Sequence, residues 1–494
     1  MSSQINFLLD QVLHYLRAGN LESAELLLKQ IIKVKSNHSE ALRLHSVIYS
    51  QKGENKLALE IIQKAITADK RNGIAYSNQG NIQLKLGMTL EAVASYEKAI
   101  QLAPNYAEAY SNLGNAFQEL GEITKAIELY KKAISIDGRN PEFFYNLGNA
   151  FWKLDAIEEA RKSYENTIAI ASSHANALHN LAHLDLREFK FSEGWNRYEA
   201  RWCLDEKEKP LAIDTTMPQW DGQPKKNRLF IWAEQGIGDQ ILYASMLNDF
   251  ANYPQHITVS VDKKLVSIFK RLFPNFQIID KGEQFSEEFY DEQIPIGSLG
   301  QFLRPNIQSF NLPNSGYFPS LDKGPVDANL AKYFGGRINC GISWKSNRAK
   351  LGQNKSISLN ELAPILKMSS LNFINLQYGD VKNEILTVNS QLETSIQMVE
   401  ELDLYEDIQC LQALIEACDI VITTSNTTAH LAGMSGKETL LFLPMGNSRF
   451  WYWHDIDGVS LWYPSIKVFK QVNPGDWSVP IEAVKAYLEK RFEI

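Results

Sequence analysis

The fold of the N-terminal half is decided by the stretch GIAYSNQGNIQLKLGMTLEAVASYEKAIQLAPNY, residues 73–106. The following stretch, AEAYSNLGNAFQELGEITKAIELYKKAISIDGRN (107–140), repeats its order of small and large side chains. Glycine recurs at one place in three successive units, at Gly80, Gly114 and Gly148. A fixed period of this length predicts an array of stacked helical pairs.

Each unit is predicted to hold two helices joined by a turn. The turn carries a glycine, which can take the left-handed conformation that a Cβ disfavours, at Gly19, Gly53, Gly87 and Gly121. The second helix carries a tyrosine at Tyr96, Tyr130, Tyr164 and Tyr198. One pair cannot bury its own apolar face. We therefore expect about six stacked units, near 5–38, 39–72, 73–106, 107–140, 141–174 and 175–208.

This pattern resembles the tetratricopeptide repeat (TPR) family, which implies a superhelix with a groove lined by first helices. Asparagine occupies one first-helix position at Asn78, Asn112, Asn146 and Asn180, and another at Asn81, Asn115 and Asn149. Residues three apart share a helix face, so two ladders of amides are expected to hold an extended peptide backbone. The ladders resemble those of nucleocytoplasmic O-linked N-acetylglucosamine transferases. The alternative is that these amides cap or bridge adjacent helices.

Bulk properties exclude several classes of protein. A formal net charge of -8 gives no support to a nucleic-acid partner, which needs a basic surface. The four cysteines include no C-x-x-C pair, which indicates reduced thiols. The start of the chain lacks the pattern of a signal peptide, and no apolar run is long enough to span a membrane. We therefore expect a cytoplasmic protein.

The second half alternates short apolar runs with helical stretches. The predicted strands are 228–234, 256–261, 276–280, 338–344, 372–377, 419–424 and 439–444. Such alternation predicts parallel β-α-β units in a doubly wound sheet. The predicted domains are a superhelix (1–208), a connector (209–227) in which Trp220 packs, and two Rossmann-like lobes (228–330 and 331–494).

The segment EQGIGD (234–239) follows the first predicted strand, where ligands bind in open α/β sheets. Gly236 and Gly238 would let the backbone approach a phosphate or an acceptor at a helix N-terminus. Asp239 would act as a general base on an acceptor hydroxyl. The alternative interpretation is that Asp239 simply caps the helix.

Two later segments offer groups for a nucleotide. Lys345 and Lys355 suit neutralisation of a diphosphate, although either could be a solvated loop lysine. Gln377 and Tyr378 end a strand and could contact a base and ribose, or form only a turn.

The segment TTSNTTAHLAG (423–433) leads from a strand into a helix. Its hydroxyls and helix-terminal amides predict an anion site made by Ser425, Asn426, Thr427 and Thr428. His430, in the first turn, would hydrogen-bond a diphosphate or a leaving oxygen, unless it is a structural histidine. The D-x-D at 455–457 is discounted as a metal site because it follows an aromatic segment and not a nucleotide-binding strand.

Six segments in order resemble the C-terminal domain of bacterial TPR-linked glycosyltransferases, which are related to heptosyltransferases. They are EQGIGD (234–239), GISWKS (341–346), KSIS (355–358), INLQYGD (374–380), NTTAHLAG (426–433) and LWYPS (461–465). The resemblance implies an inverting, metal-independent GT-B enzyme. In it Asp239 would be the base, Lys355 the phosphate lysine, residues 425–430 the diphosphate site and Gln377 a nucleoside contact. The family usually has Asp-Thr where this chain has Ser425-Asn426, which leaves the donor sugar open.

The leading hypothesis is a glycosyltransferase that moves a sugar from a nucleotide-sugar to a protein or glycan acceptor recruited by the TPR groove. It needs no metal or other cofactor. The alternative is a non-catalytic TPR scaffold with a degenerate nucleotide-binding domain. A Rossmann oxidoreductase is disfavoured because Ile241 stands where the third glycine of G-x-G-x-x-G belongs.

Overall fold

The computed structural model describes residues 2–310, 333–334, 337–346, 352–399 and 402–494. The chain forms two compact units, Met1–His174 and Ala175–Ile494. The last predicted repeat, 175–208, therefore groups with the second unit.

The described part of the first unit consists of helices and short turns. Its helices are α1 (Ser2–Arg17), α2 (Leu21–Val34), α3 (Ser39–Gln51), α4 (Asn55–Ala68), α5 (Gly73–Lys85), α6 (Thr89–Leu102), α7 (Ala107–Glu119), α8 (Ile123–Ile136), α9 (Pro141–Lys153) and α10 (Ile157–Ile170). Each helix packs against the next one in the chain. The predicted helical solenoid is confirmed.

The repeated glycines have two different physical reasons. A Cβ built at Gly80, Gly114 or Gly148 would lie only 2.5–2.6 Å from the tyrosine ring of the same unit's second helix. The turn glycines have φ between 71° and 84° at Gly19, Gly53, Gly87 and Gly121. Both features match the close approach and the left-handed turn that the period predicts.

The second unit begins with α11 (Ala175–Arg187) and α12 (Phe191–Tyr198), followed by a 3₁₀ turn at Glu199–Cys203. The connector then contributes Trp220, which is buried against Phe250 and Phe302. The predicted packing role of Trp220 is confirmed.

The first sheet has four parallel strands in the order β3-β2-β1-β4. The strands are β1 (Arg228–Trp232), β2 (His256–Val261), β3 (Gln277–Asp280) and β4 (Glu292–Pro295). The helices of this part are α13 (Ile237–Leu247), α14 (Val266–Leu272) and α15 (Gly300–Leu303).

The second sheet has the order β10-β11-β12-β9-β8-β5-β6-β7, parallel from β12 to β7. Its strands are β5 (Ile338–Ser343), β6 (Leu371–Asn375), β7 (Ile396–Gln397), β8 (Ile420–Thr424), β9 (Thr439–Leu443), β10 (Asp455–Ile456), β11 (Val459–Ser460) and β12 (Ile466–Lys470). The helices are α16 (Gly352–Lys355), α17 (Ala363–Leu366), α18 (Lys382–Leu392), α19 (Ile408–Ala417), α20 (Thr427–Met434) and α21 (Ser478–Phe492).

The seven predicted strands all form, each within two residues of its predicted ends; β1 and β6 end two residues earlier than predicted. Four-residue β4 and the short strands β7, β10 and β11 were not predicted, and neither was β12. They are short or carry polar residues, so they lack the continuous apolar run that marks a buried parallel strand. One apolar core includes side chains of α11, α12, α13, α20 and both sheets, so the two sheets belong to one packed unit.

Candidate functional site

A cavity of about 370 Å³ lies in the second unit where the carboxyl ends of several strands meet. The segment 236–239, which follows β1, lines one side of it. The other side is lined by Ser346, Lys355, Tyr378, the segment 425–427 and His430. Phe450 and Tyr452 complete the wall. Three residues predicted to cooperate, Asp239, Lys355 and His430, therefore face one cavity.

Asp239 lies in the first turn of α13 and is half-buried. The N-cap of that helix is Gly236, so Asp239 is the third helical residue and does not cap it. A carboxylate in the first turn interacts favourably with the helix dipole. Its position leaves the side chain on the cavity wall, where a general base for an acceptor would be needed.

Gly238 is required by the close approach of His430. A Cβ at Gly238 would lie 2.9 Å from His430 Cδ2 and 3.3 Å from Nε2. No positive φ is involved at either glycine of the turn. The absence of a side chain at Gly238 thus lets the His430 imidazole on α20 approach the backbone of α13.

His430 is 3% exposed, and its Nδ1 lies 2.9 Å from the Tyr463 hydroxyl. Burial, followed by the charge of Lys355, lowers the pKa of His430 to about 3. The imidazole is therefore neutral at pH 7. A neutral imidazole has one donor and one acceptor nitrogen, so it can give a hydrogen bond without a net charge.

Lys355 is 1% exposed, and its Nζ lies 3.1 Å from the centroid of the Phe450 ring. A cation on an aromatic face is stabilised by the ring quadrupole, but a buried ammonium also favours an anionic partner. The wall of the cavity therefore carries a fixed positive charge beside the neutral His430.

The N-terminus of α20 points its first turn at the same cavity. Asn426 is the N-cap: its Oδ1 accepts from Ala429 N at 3.3 Å, and its Nδ2 donates to Ser343 Oγ and to the Lys345 carbonyl. Ser425 Oγ accepts a bond from Trp453 Nε1. These two side chains hold the helix in place, while the first N–H groups of a helix have no intrahelical acceptor and attract anions.

Three of the predicted donor-site residues do not line the cavity. Gln377 is buried, and its Oε1 accepts bonds from Ser343 Oγ and from the backbone N–H groups of Trp344 and Lys345. Lys345 pairs with Glu384. Thr428 is fully buried in α20.

Tyr378, in contrast, does line the cavity. Burial raises its pKa, and a hydrogen bond with Thr427 opposes that rise. The two neighbours 377 and 378 thus point in opposite directions, which residue type alone does not reveal.

The asparagines of the first unit bond mainly to other repeat residues. Asn81, Asn115 and Asn149 each accept a 2.7 Å bond from the tyrosine hydroxyl of their own unit, in the pairs Tyr96–Asn81, Tyr130–Asn115 and Tyr164–Asn149. This ladder fixes the two helices of a unit.

The other ladder links successive units. Asn112 Nδ2 donates to Ser77 Oγ at 3.4 Å, and Asn146 Nδ2 donates to Ser111 Oγ at 3.3 Å. Asn78 Nδ2 is buried and has no hydrogen-bond acceptor among the described residues. Asn180 lies on α11 in the second unit. The bridging alternative describes the contacts of five of these asparagines, and peptide binding by the ladders stays a prediction.

A second cavity, of about 250 Å³, lies on the other side of Asp239. Its wall includes His179, His183, Tyr198 and Arg201, none of which was a predicted site residue. The repeat itself carried a signal for two of them. His179 stands at the position of Ser77 and Ser111, and His183 at the position of Asn81 and Asn115.

Over the described ranges, no group of three or more His, Cys, Asp or Glu side chains is placed to hold a metal ion. In the D-x-D segment, Asp455 pairs with Lys470. Among the helices of the described chain, none has both the length and the apolar character to cross a membrane.

Family comparisons recognise the first unit. A model described as TPR repeat matches residues 90–121 and 114–155, and two described as tetratricopeptide repeat match 9–73 and 141–174. The N-terminal array therefore consists of tetratricopeptide repeats.

A relative and two solved structures show similarity. Protein FlbA of Caulobacter vibrioides is 30% identical over 310 residues, which are 58% of this chain and 50% of that protein. The chain thus spans about half the length of this relative. The crystal structure of MamA is 26% identical, covering 32% of this chain and 93% of MamA with a TM-score of 0.29. The structure of pilF of Pseudomonas aeruginosa is 22% identical and covers 42% of this chain and 92% of pilF, with a TM-score of 0.36.

Proposed function

We propose that the second unit is a GT-B glycosyltransferase that is inverting, independent of metal and specific for a nucleotide-sugar donor. The observation that carries the proposal is the meeting of Asp239, Lys355 and His430 on one cavity at the carboxyl ends of parallel strands. Such an edge is where open α/β sheets bind ligands. A carboxylate on one side and a cationic, amide-rich wall on the other suit transfer from a diphosphate donor.

The donor diphosphate would lie between Lys355 and the N-terminus of α20, with the nucleoside near Tyr378. An acceptor hydroxyl oxygen attacks the anomeric carbon and forms the new glycosidic bond. The bond from that carbon to the β-phosphate oxygen breaks, and its electron pair leaves with the nucleoside diphosphate. The hydroxyl proton passes to Asp239. In-line attack from the opposite face inverts the anomeric centre.

The residues around the leaving group stabilise it by fixed charge and dipoles. Lys355 supplies a buried positive charge, and the helix amides supply oriented N–H groups. His430 is neutral, so it would give one hydrogen bond to the departing oxygen through the ring nitrogen that does not face Tyr463. None of these groups needs to reorganise during the step.

TPR units suit the binding of proteins or peptides, so the first unit would recruit the acceptor. A second candidate is a non-catalytic scaffold. The observation that favours it is the engagement of Ser425 and Asn426, whose side chains bond to Trp453, Ser343 and the Lys345 carbonyl.

Donor binding separates the two candidates. Purified protein would be tested with UDP-, GDP-, ADP- and CMP-sugars for thermal shift and for release of the free nucleotide. We expect one donor class to bind and to be hydrolysed slowly. Lys355→Met should weaken binding at least tenfold, whereas the exposed Lys367→Met in the same unit should not. Asp239→Asn should keep the donor bound and lose at least a hundredfold in turnover, as for removal of a general base. If no donor binds to the wild type, the scaffold is the correct reading.

A further inference from the structure

The cavity beyond Asp239 is continuous in its wall with the candidate donor site. The two cavities share Gly236, Asp239, Phe450 and Tyr452. One part of the second wall comes from α11, α12 and the turn after them, through His179, His183, Tyr198 and Arg201. The connector, the segment after β1, α13 and Trp451 complete it. Asp239 therefore borders two spaces, and the proposed donor accounts for only one of them.

The residues of this wall occupy repeat positions. With the period of 34 residues, His183 stands where Asn81, Asn115 and Asn149 stand, and His179 stands where Ser77 and Ser111 stand. Tyr198 is the counterpart of Tyr96, Tyr130 and Tyr164. In those three units the tyrosine hydroxyl donates to the asparagine Oδ1 at 2.7 Å.

In the pair α11 and α12 the tyrosine hydroxyl has partners outside the repeat. The Tyr198 hydroxyl lies 3.3 Å from the Tyr243 hydroxyl and accepts a bond from the Gln235 amide. The Nε2 atoms of His179 and His183 lie 3.3 Å apart, and the His179 ring stacks on Tyr198. At these two repeat positions the side chains therefore line a cavity.

The wall is polar and charged: besides Arg201 and Glu234 it includes the carboxylates of Glu208 and Asp239. Arg201 is buried, and its charge is balanced by Glu199 at 2.6 Å and Glu234 at 3.2 Å. Burial, with the charge of Arg201 as a smaller cause, lowers the pKa of His179 to about 4, so that imidazole is neutral at pH 7. Neutral imidazoles can donate to and accept from a hydroxyl or a peptide group.

The size of the space limits the ligand. About 250 Å³ is below the range of sites for drug-sized molecules, which begin near roughly 300 Å³. Trp451 and Tyr452 form an aromatic side of the cavity. Such a space fits one short side chain with its adjoining backbone better than an oligosaccharide.

We propose that this cavity is the acceptor subsite and takes a hydroxyl-bearing side chain of a polypeptide, with His179 and His183 as positioning residues that direct the hydroxyl to Asp239. The inference rests on the proposed glycosyltransferase function. The step is the one described above: the side-chain oxygen bonds to the anomeric carbon, the bond to the β-phosphate oxygen breaks, and Asp239 takes the proton. The small volume of the cavity favours a single side chain of a peptide over an oligosaccharide.

The test compares two reactions of the full chain with the donor that it hydrolyses. One is hydrolysis by water, and the other is transfer to capped peptides that each hold a single Ser, Thr or Tyr, with methyl glycosides as a parallel panel. His183→Leu and His179→Leu should raise KM for the peptide about tenfold, the size expected for one lost hydrogen bond, while donor hydrolysis stays unchanged. His183→Gln keeps an amide nitrogen near the Nε2 position and should recover most of the affinity. His256→Leu, at an exposed position on β2, is the matched control.

The outcomes separate the two proposals. If the wild type binds no nucleotide-sugar, the proposed function fails and the acceptor subsite fails with it. If the donor is hydrolysed but no peptide is glycosylated, or only the glycosides are, the peptide subsite is wrong and the glycosyltransferase stands. Transfer that is indifferent to both histidine variants also overturns the subsite.

Discussion

His430 and Lys355 acquire their chemistry from burial rather than from residue type. The imidazole loses its proton affinity because its charged form would be desolvated, and the nearby ammonium adds to that effect. Lys355 keeps a buried position on the face of Phe450. A neutral donor next to a fixed cation is an arrangement suited to an anionic leaving group.

Gly238→Ala should disturb this arrangement directly. The new Cβ would lie 2.9 Å from His430 Cδ2, so the ring or the turn must shift. We expect a loss of about 1–3 kcal/mol in the free energy of unfolding, as for overpacking of a core, and a fall in donor hydrolysis. Urea unfolding and nucleotide release measure the two effects.

Gly282→Ala is the control for that substitution. Its Cβ would meet no atom closer than 3.6 Å, and the position has no positive φ. If Gly238→Ala behaves like Gly282→Ala in both assays, the contact with His430 has no functional importance.

Helix pairs use glycine in two ways, and the difference can be measured. At Gly114 the obstacle is the Tyr130 ring, 2.6 Å from a built Cβ, whereas at Gly121 nothing lies within 4 Å and φ is +80°. The last two pairs have Asp155 and Phe189 at the turn position, with φ of 59° and 62°. Phe189 packs against His454 and Phe191, which offsets its backbone strain.

Gly121→Ala should cost about 1–2 kcal/mol, the price of a left-handed residue with a Cβ. Gly114→Ala should cost about 1–3 kcal/mol through the clash with Tyr130. In a Tyr130→Leu background, Gly114→Ala should cost less stability than it does in the wild type. The cost of Gly121→Ala should be the same in both backgrounds. Thermal unfolding followed by circular dichroism measures these differences, and equal recovery at both sites would contradict the assignment.

Acid should destabilise the second unit. His430 and His454, both in the second unit, are 3% and 5% exposed, and burial lowers their pKa values to about 3 and about 4. Burial also lowers the pKa of His179, in the same unit, to about 4. An unfolded histidine has a pKa of about 6.5. Between these values the unfolded chain binds protons that the folded unit does not, so stability falls as the pH falls below 6.5.

We therefore expect the free energy of unfolding of the second unit to fall as the pH goes from 6.5 to 5. The slope should approach about 1.4 kcal/mol per pH unit for each histidine. Of the ten tryptophans, Trp152 alone lies in residues 1–174, so tryptophan fluorescence reports mainly on the second unit. His454→Phe should reduce this slope by about 1.4 kcal/mol per pH unit, the contribution of one bound proton. An unchanged slope would show that His454 is not held in its neutral form by the folded unit.

The whole chain combines a repeat array with an α/β unit whose first two helices continue the repeat period. By contacts α11 and α12 belong to the second unit, and their side chains join its core. The change of unit comes at a point where the period itself does not change, since Tyr198 still occupies its place.

The amino-acid sequence determined the elements and their kinds. The period of 34 residues, the turn glycines and the apolar runs are local patterns, and helices and strands follow from local spacing. The polar segments that were predicted to follow strands do lie at the carboxyl ends of β1, β6 and β8. Asp239, Tyr378 and His430 could be named from that rule alone.

Only the tertiary structure decided which of those side chains meet. It turned Gln377 inward to accept hydrogen bonds from three groups at the carboxyl end of β5, and it placed Tyr378 on the cavity. It also brought His179 and His183 to Asp239, although they belong to the repeat period. The physical reason is that the direction of a side chain at a strand end, and the approach of α20 to α13, depend on packing between residues far apart in the chain, which no local pattern encodes.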